Sequence, residues 1–124
     1  TITYNRNKEK GENLAKELGC ELIHCRDAGT QSIDILINCT PVGMNPNINE
    51  SPFLARDFKE GMVVFDSVYN PLETKLLREA KAAGCKVIPG SELFINQAAR
   101  QFELFTGQPA PINVMREVLI EKLN

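Results

Sequence analysis

Short apolar runs alternate with stretches of helical period along this chain, a pattern that predicts β-α units around a parallel sheet. Residues 1–4 (Thr-Ile-Thr-Tyr) form the first run. Leu14, Ala15 and Leu18 then recur at helical spacing up to Gly19, which suits the left-handed position that closes a helix. Glu21 to Cys25 reads as a short second strand, and Ile33 to Cys39 as a more apolar one of the kind buried on both faces. Thr40 to Pro52, rich in Pro, Asn and Gly, is the longest irregular stretch; loops of such length are usually functional or mobile.

Met62 to Ser67 predicts another strand, and Asn70-Pro71 a helix start, with Leu72, Leu76, Leu77 and Ala80 on one face and Gly84 at its end. Cys85 to Ile88 is a last short strand. Leu93, Phe94, Ala98, Phe102 and Phe105 then mark the apolar face of a long helix stopping at Thr106-Gly107. The stiff Gln108-Pro109-Ala110-Pro111 segment leads into a final helix from about Ile112 to Leu123. The fold class is α/β, a Rossmann-like doubly wound parallel sheet with C-terminal helices. Residues 1–124 read as one partial nucleotide-binding domain.

The sheet is expected to be incomplete. In the strand order 3-2-1-4-5-6, the strands here match numbers 2 to 6, and strand 1 with its glycine-rich turn is not represented. Buried amides left unpaired beside such a gap cost about 1–3 kcal/mol each. The expectation is therefore a piece of a longer polypeptide, or a rearranged pairing.

Composition narrows the partners. An apolar fraction of 43% and a charged fraction of 24% fit a globular protein, and net charge −2 provides no field for gripping nucleic acid. No apolar run approaches the roughly 20 residues of a membrane span. Cys20, Cys25, Cys39 and Cys85 form no C-x-x-C pair and read as small buried hydrophobes in a reducing compartment. His24 beside Cys25 lacks the ligand spacing of a zinc clip, so no metal is expected.

Three constellations can carry chemistry. Asn5, Arg6, Asn7 and Lys10 follow the first strand, where a dinucleotide fold holds the adenosine ribose; a basic residue there suits a 2′-phosphate. The competing reading is a solvated helix start, although cations oppose the helix dipole at that end. Asn38-Cys39-Thr40-Pro41-Val42-Gly43-Met44 puts polar groups at a strand's carboxyl edge, or is simply a tight turn. Asp66 to Thr74 and Gly90 to Ala99 run from strand ends into helices. In them Tyr69 either donates to a ligand or caps its strand, and Gln97 is either a satisfied core amide or a substrate hook.

In this order the blocks Asn5-Arg6, Asn38-x-Thr40, Asp66-x-x-Tyr69-Asn70-Pro71-x-x-Thr74 and Gly90-x6-Gln97-Ala98-Ala99 carry a resemblance. The chain resembles the C-terminal, NADP-binding half of shikimate dehydrogenases, including the form fused to 3-dehydroquinate dehydratase. The resemblance implies reversible NADPH-dependent reduction of 3-dehydroshikimate to shikimate, in the cytoplasm or in a plastid. It implies that Asn5, Arg6, Asn7 and Lys10 hold the 2′-phosphate and that Thr40, Pro41 and Val42 line the adenine-ribose side. Ser67, Gly90 and Leu93 would flank the nicotinamide, and Tyr69 and Gln97 would reach the substrate. A Lys and Asp pair that handles the proton belongs to an N-terminal catalytic domain, against which residues 111–124 would pack. Without that domain and the glycine-rich turn, this chain alone is expected to bind NADPH poorly and to be inactive.

The sequence departs from that pattern where Asn7 replaces a Thr, Lys10 an Arg, Ser67 a larger apolar residue and Glu92 a Gly. Glu92 and Phe94 look closer to the plant-like bifunctional branch. The rival readings are a noncatalytic α/β binding module and an NAD-using quinate or shikimate dehydrogenase. Oligomeric state is left open.

Overall fold

The computed structural model describes residues 2–3 and 7–123; Thr1, Tyr4, Asn5, Arg6 and Asn124 lie outside the described residues. The predicted 2′-phosphate residues Asn5 and Arg6 are therefore outside them too. The chain divides into two compact units, Thr1–Ile33 and Asp34–Asn124.

In the first unit, strand β1 (Ile2–Thr3) pairs in parallel with β2 (Glu21–Leu22), joined by helix α1 (Lys8–Leu18). Asn7 caps α1, its side chain accepting from the Lys10 N–H at 3.0 Å. Gly19 closes the helix at φ 61°, as the sequence predicts. The buried face of α1 is Gly11 and Ala15, while Leu14 and Leu18 are exposed. The second strand is shorter than predicted. Asp27 N–H donates to the His24 carbonyl, Gln31 N–H donates to that of Ala28, and the Thr30 hydroxyl to that of Asp27, so Cys25–Thr30 is a 3-10 helix. Local turn chemistry there outcompetes the strand ladder.

The second unit holds a parallel sheet of order β3 (Ile35–Asn38), β4 (Val63–Asp66) and β5 (Lys86–Ile88). Asn38 stands opposite Asp66 in the register, so the two polar strand ends are neighbours. Among the described residues the ladders form two sheets, β1-β2 in the first unit and β3-β4-β5 in the second. The run around β3 does not have two covered faces: Ile35 is 61% and Ile37 58% exposed. The reason is that Leu36 and Asn38 alone point toward the cover of this unit, since successive side chains alternate.

Helix α2 (Lys75–Ala82) crosses from β4 to β5 and buries Leu76, Leu77 and Ala80 against the sheet. It begins at Lys75, later than the Asn70-Pro71 start predicted, because Thr74 supplies the N-cap: its hydroxyl accepts from the Leu77 N–H at 3.3 Å. Helix α3 (Gly90–Thr106) buries Gly90, Ile95 and Ala99. Of the predicted apolar face Leu93, Phe94, Ala98, Phe102 and Phe105, Ala98 and Phe102 are half-buried while Leu93, Phe94 and Phe105 are exposed. Helix α4 (Ile112–Leu123) matches its predicted span, packs on α3 and buries no residue fully.

None of the described cysteines is fully buried: Cys39 is exposed and Cys20 and Cys85 are intermediate. The buried-hydrophobe expectation fails for Cys39 because it alternates with the inward Asn38 at the end of β3. No helix among the described residues is long and apolar enough to cross a membrane.

Candidate functional site

The site is built outward from one buried carboxylate. Asp66 ends β4 with no solvent exposure, and its oxygens accept three hydrogen bonds. Oδ1 takes the Asn38 side-chain amide at 2.9 Å and the Val68 N–H at 3.0 Å; Oδ2 takes the Thr74 hydroxyl at 2.6 Å. A carboxylate removed from water needs such donors, because an unsatisfied charged acceptor in a low dielectric is costly.

Asn38 carries the network onward. Its Oδ1 accepts from both the Thr40 N–H (3.0 Å) and the Thr40 hydroxyl (2.7 Å), and its Nδ2 also donates to the Val42 carbonyl at 3.3 Å. The Thr40 hydroxyl oxygen in turn accepts from the Val42 N–H at 3.3 Å. Thus the Thr40–Val42 turn is held by side chains that no strand ladder supplies. Backbone bonds join the loops further: Ser67 N–H donates to the Asn38 carbonyl at 2.9 Å and Asn45 N–H to that of Asn70 at 3.2 Å.

These two loops bound an open cleft of about 440 Å³ beyond the carboxyl ends of β3 and β4. Its polar lining comes from Thr40, Asn45, Ser67, Tyr69 and Asn70, and its softer lining from Cys39, Pro41, Met44 and Val68. Among the described residues no charged side chain lines it. The size lies in the range of small-molecule sites, and the place is where parallel α/β sheets bind ligands. The lining combines hydroxyl and amide groups with apolar surface, a mix that can take a small polar ligand with an apolar face.

Of the predicted residues, the cleft brings together Thr40, Pro41, Ser67 and Tyr69. Val42 stands behind the rim in the Asn38 network. Gly90 lies beneath it: a Cβ there would sit 2.5 Å from the Val68 carbonyl oxygen and 2.6 Å from that of Ser67. This close approach seats the first turn of α3 on the end of β4. Leu93 and Gln97 are exposed on α3, outside the lining; Gln97 is therefore not a core amide. Phe94 links that helix to the cleft, stacking on the Tyr69 ring with centroids 4.7 Å apart and planes at 29°. In the first unit, Asn7 is occupied in part as the α1 cap, and Lys10 is exposed in the first turn. Among the described residues no cluster of His, Cys, Asp and Glu could hold a metal.

Sequence reasoning passed over Asn38, Asp66 and Thr74 as site residues. Their signal was the Asp-x-x-Tyr-Asn-Pro-x-x-Thr spacing, which puts an acid at a strand end eight residues before a capping hydroxyl.

Glu92, in the first turn of α3, grips Arg116 of α4 through both carboxylate oxygens, with the Nη2 to Oε2 distance at 2.9 Å. The hydrogen-bonded guanidinium lowers the Glu92 pKa below its ordinary 4.5, and Glu92 raises that of Arg116. A depressed carboxylate pKa contributes stability that is complete above 4.5 and lost as pH falls through the lower folded value. Acidification through that window is expected to increase amide exchange in α4 before the β3–β4–β5 sheet responds. Hydrogen exchange across a pH series checks this, with Glu92→Gln removing the step. Both side chains are partly exposed, so the effect on global stability is small.

A parallel sheet with crossover helices and a ligand-sized cleft past the carboxyl ends of its strands is the arrangement of the α/β nucleotide-binding class. Comparison with known proteins narrows the class. The shikimate 5′-dehydrogenase C-terminal domain family matches residues 90–120. The shikimate dehydrogenase (NADP(+)) of Methanocaldococcus jannaschii is 42% identical over 132 residues, covering 98% of this chain and 47% of that protein. A crystal structure of a shikimate dehydrogenase in complex with NADP+ superposes with TM-score 0.87 at 40% identity, over 99% of this chain and 46% of that one. The Thermus thermophilus enzyme in complex with NADP(H) and shikimate gives 0.83 at 34% identity, over 97% and 45%. The chain spans about half the length of the curated relatives it matches. It is homologous, over nearly its whole length, to part of the shikimate dehydrogenases.

Proposed function

We propose that this chain is the cofactor-binding part of an NADP-dependent shikimate dehydrogenase that interconverts 3-dehydroshikimate and shikimate. The observation that carries the reading is the cleft at the carboxyl ends of β3 and β4, in a chain similar over nearly its whole length to part of an enzyme solved with NADP(H) and shikimate. When bound, NADPH supplies hydride to the substrate carbonyl. The chain's own residues hold and orient the two reactants. Thr40, Pro41 and Val42 form the adenine-ribose side, and Ser67, Gly90 and Leu93 flank the nicotinamide. Tyr69 and Gln97 offer a phenol and an amide to the substrate hydroxyls, with Phe94 fixing the plane of the Tyr69 ring. Asn5, Arg6, Asn7 and Lys10 hold the 2′-phosphate, where a guanidinium can give two parallel bonds to one phosphate. The proton comes from a catalytic domain beyond this chain, against which α4 packs through its exposed Val114, Val118 and Ile120.

The experiment is steady-state reduction of 3-dehydroshikimate by the full polypeptide with NADPH and with NADH. Arg6→Ala is expected to raise the KM for NADPH about tenfold, the size of a lost charge-assisted bond, and to leave that for NADH nearly unchanged. Equal effects on the two cofactors would reject the phosphate assignment and favour an NAD-using enzyme.

A further inference from the structure

We infer that Asp66 is a positioning residue that makes the two rims of the cleft a single unit, so that nucleotide and substrate contacts are set together. The inference rests on the function proposed above for what each rim binds. The coupling itself rests on geometry alone. Asp66 touches neither Thr40 nor Val42, yet the Asn38 amide it orients is the group that fixes both. On the other side it holds the Val68 N–H directly, next to Tyr69, and through Thr74 it sets the first turn of α2.

All three side chains are buried, and all their polar atoms lie in one continuous network. A shift of the Asp66 carboxylate therefore cannot be absorbed by water and must be passed to both rims. Polarised hydrogen-bond chains of this kind are stronger than separate pairs. The network has one distinctive asymmetry: every group facing Asp66 is a donor. An isosteric Asn must present its own amide either to Thr74, stranding the Thr74 hydroxyl proton, or to Asn38 and Val68, opposing two donors. In both arrangements at least one bond is lost without loss of volume.

The test is Asp66→Asn in the full polypeptide, read in two independent ways. Hydrogen exchange at the Thr40, Val42 and Val68 amides is expected to rise together, about tenfold, while the Met115 amide of α4 stays unchanged. In kinetics, the KM for NADPH and the KM for 3-dehydroshikimate are expected to rise together by about the same factor. A merely structural role would lower the melting temperature and leave both KM values unmoved in the folded enzyme. The inference is overturned if Thr40 and Val42 keep wild-type exchange, or if one KM moves alone. Exchange needs no ligand, so a wild type that fails to reduce the substrate rejects the proposed function while exchange still decides the role of Asp66. If Asp66→Asn does not fold, Asn38→Ala carries the test. It is expected to loosen the Val68 amide, which Asn38 does not touch, and unchanged exchange there overturns the inference.

Discussion

Gly90→Ala is expected to destabilise the protein by about 3 kcal/mol, the upper end of what one inserted methyl costs in a packed interior. The added carbon would meet the Val68 carbonyl oxygen at 2.5 Å, the Ser67 carbonyl oxygen at 2.6 Å and the Ser67 carbonyl carbon at 2.7 Å. These are backbone atoms at the end of the central strand, so no side-chain rotation relieves the contact. Either the first turn of α3 lifts, or the Ser67–Val68 backbone moves into the cleft. Both outcomes separate Phe94 from Tyr69 and weaken the hold on the substrate side. Urea unfolding measures the loss, with Gly107→Ala as reference. Gly107 closes the same helix that Gly90 opens, at φ 66°, but has open space around its would-be Cβ. Only the left-handed backbone opposes that change, a cost of about 1 kcal/mol. Equal losses at the two glycines would show that close packing at Gly90 is not what seats α3.

The second large effect is expected at Thr74. Valine there preserves shape but removes the hydroxyl that donates to Asp66 at 2.6 Å and accepts from the Leu77 N–H at 3.3 Å. The bond to the buried carboxylate contributes about 2 kcal/mol and the helix cap about 1 kcal/mol, so Thr74→Val should cost about 3 kcal/mol. Serine keeps both bonds and loses one buried methyl, a cost of about 1 kcal/mol. Denaturation midpoints of the two variants decide between polar and apolar roles. A valine protein as stable as the serine protein would mean that the hydroxyl network contributes little.

What the sequence made legible is what local chemistry controls. Gly19 and Gly107 stop α1 and α3 because each adopts a left-handed conformation that other residues resist. The short apolar runs gave the strands, since few other structures bury so many branched residues in so few positions. The misreadings share a non-local cause. Helix α3 is apolar on more than one side, so its period alone could not choose between Leu93 and Ile95. The contact of Gly90 with β4 makes that choice, and it depends on the tertiary fold. Likewise α2 starts where Thr74 reaches Asp66, a partner eight residues away. The apolar run of β3 could not reveal that Ile35 and Ile37 lie uncovered.

The candidate site divides in the same way. Thr40, Ser67 and Tyr69 line the cleft because they are polar residues just past strand ends, where the crevice of a parallel sheet lies, whereas Pro41 was suggested only by the family resemblance. Leu93 and Gln97 sit on the exposed side of α3 instead of in the lining, and nothing in their spacing distinguished those places. Asp66 was visible as a motif letter, but its importance is a matter of three donors converging on one buried group.

The most direct measurement is the initial rate of 3-dehydroshikimate reduction by the full polypeptide, with NADPH and with NADH at matched concentrations. Rapid oxidation of NADPH that depends on 3-dehydroshikimate, with NADH a poor substitute, is the expected result. No reduction with either cofactor, by a polypeptide shown to be folded, would contradict the assignment of this chain to an NADP-dependent shikimate dehydrogenase.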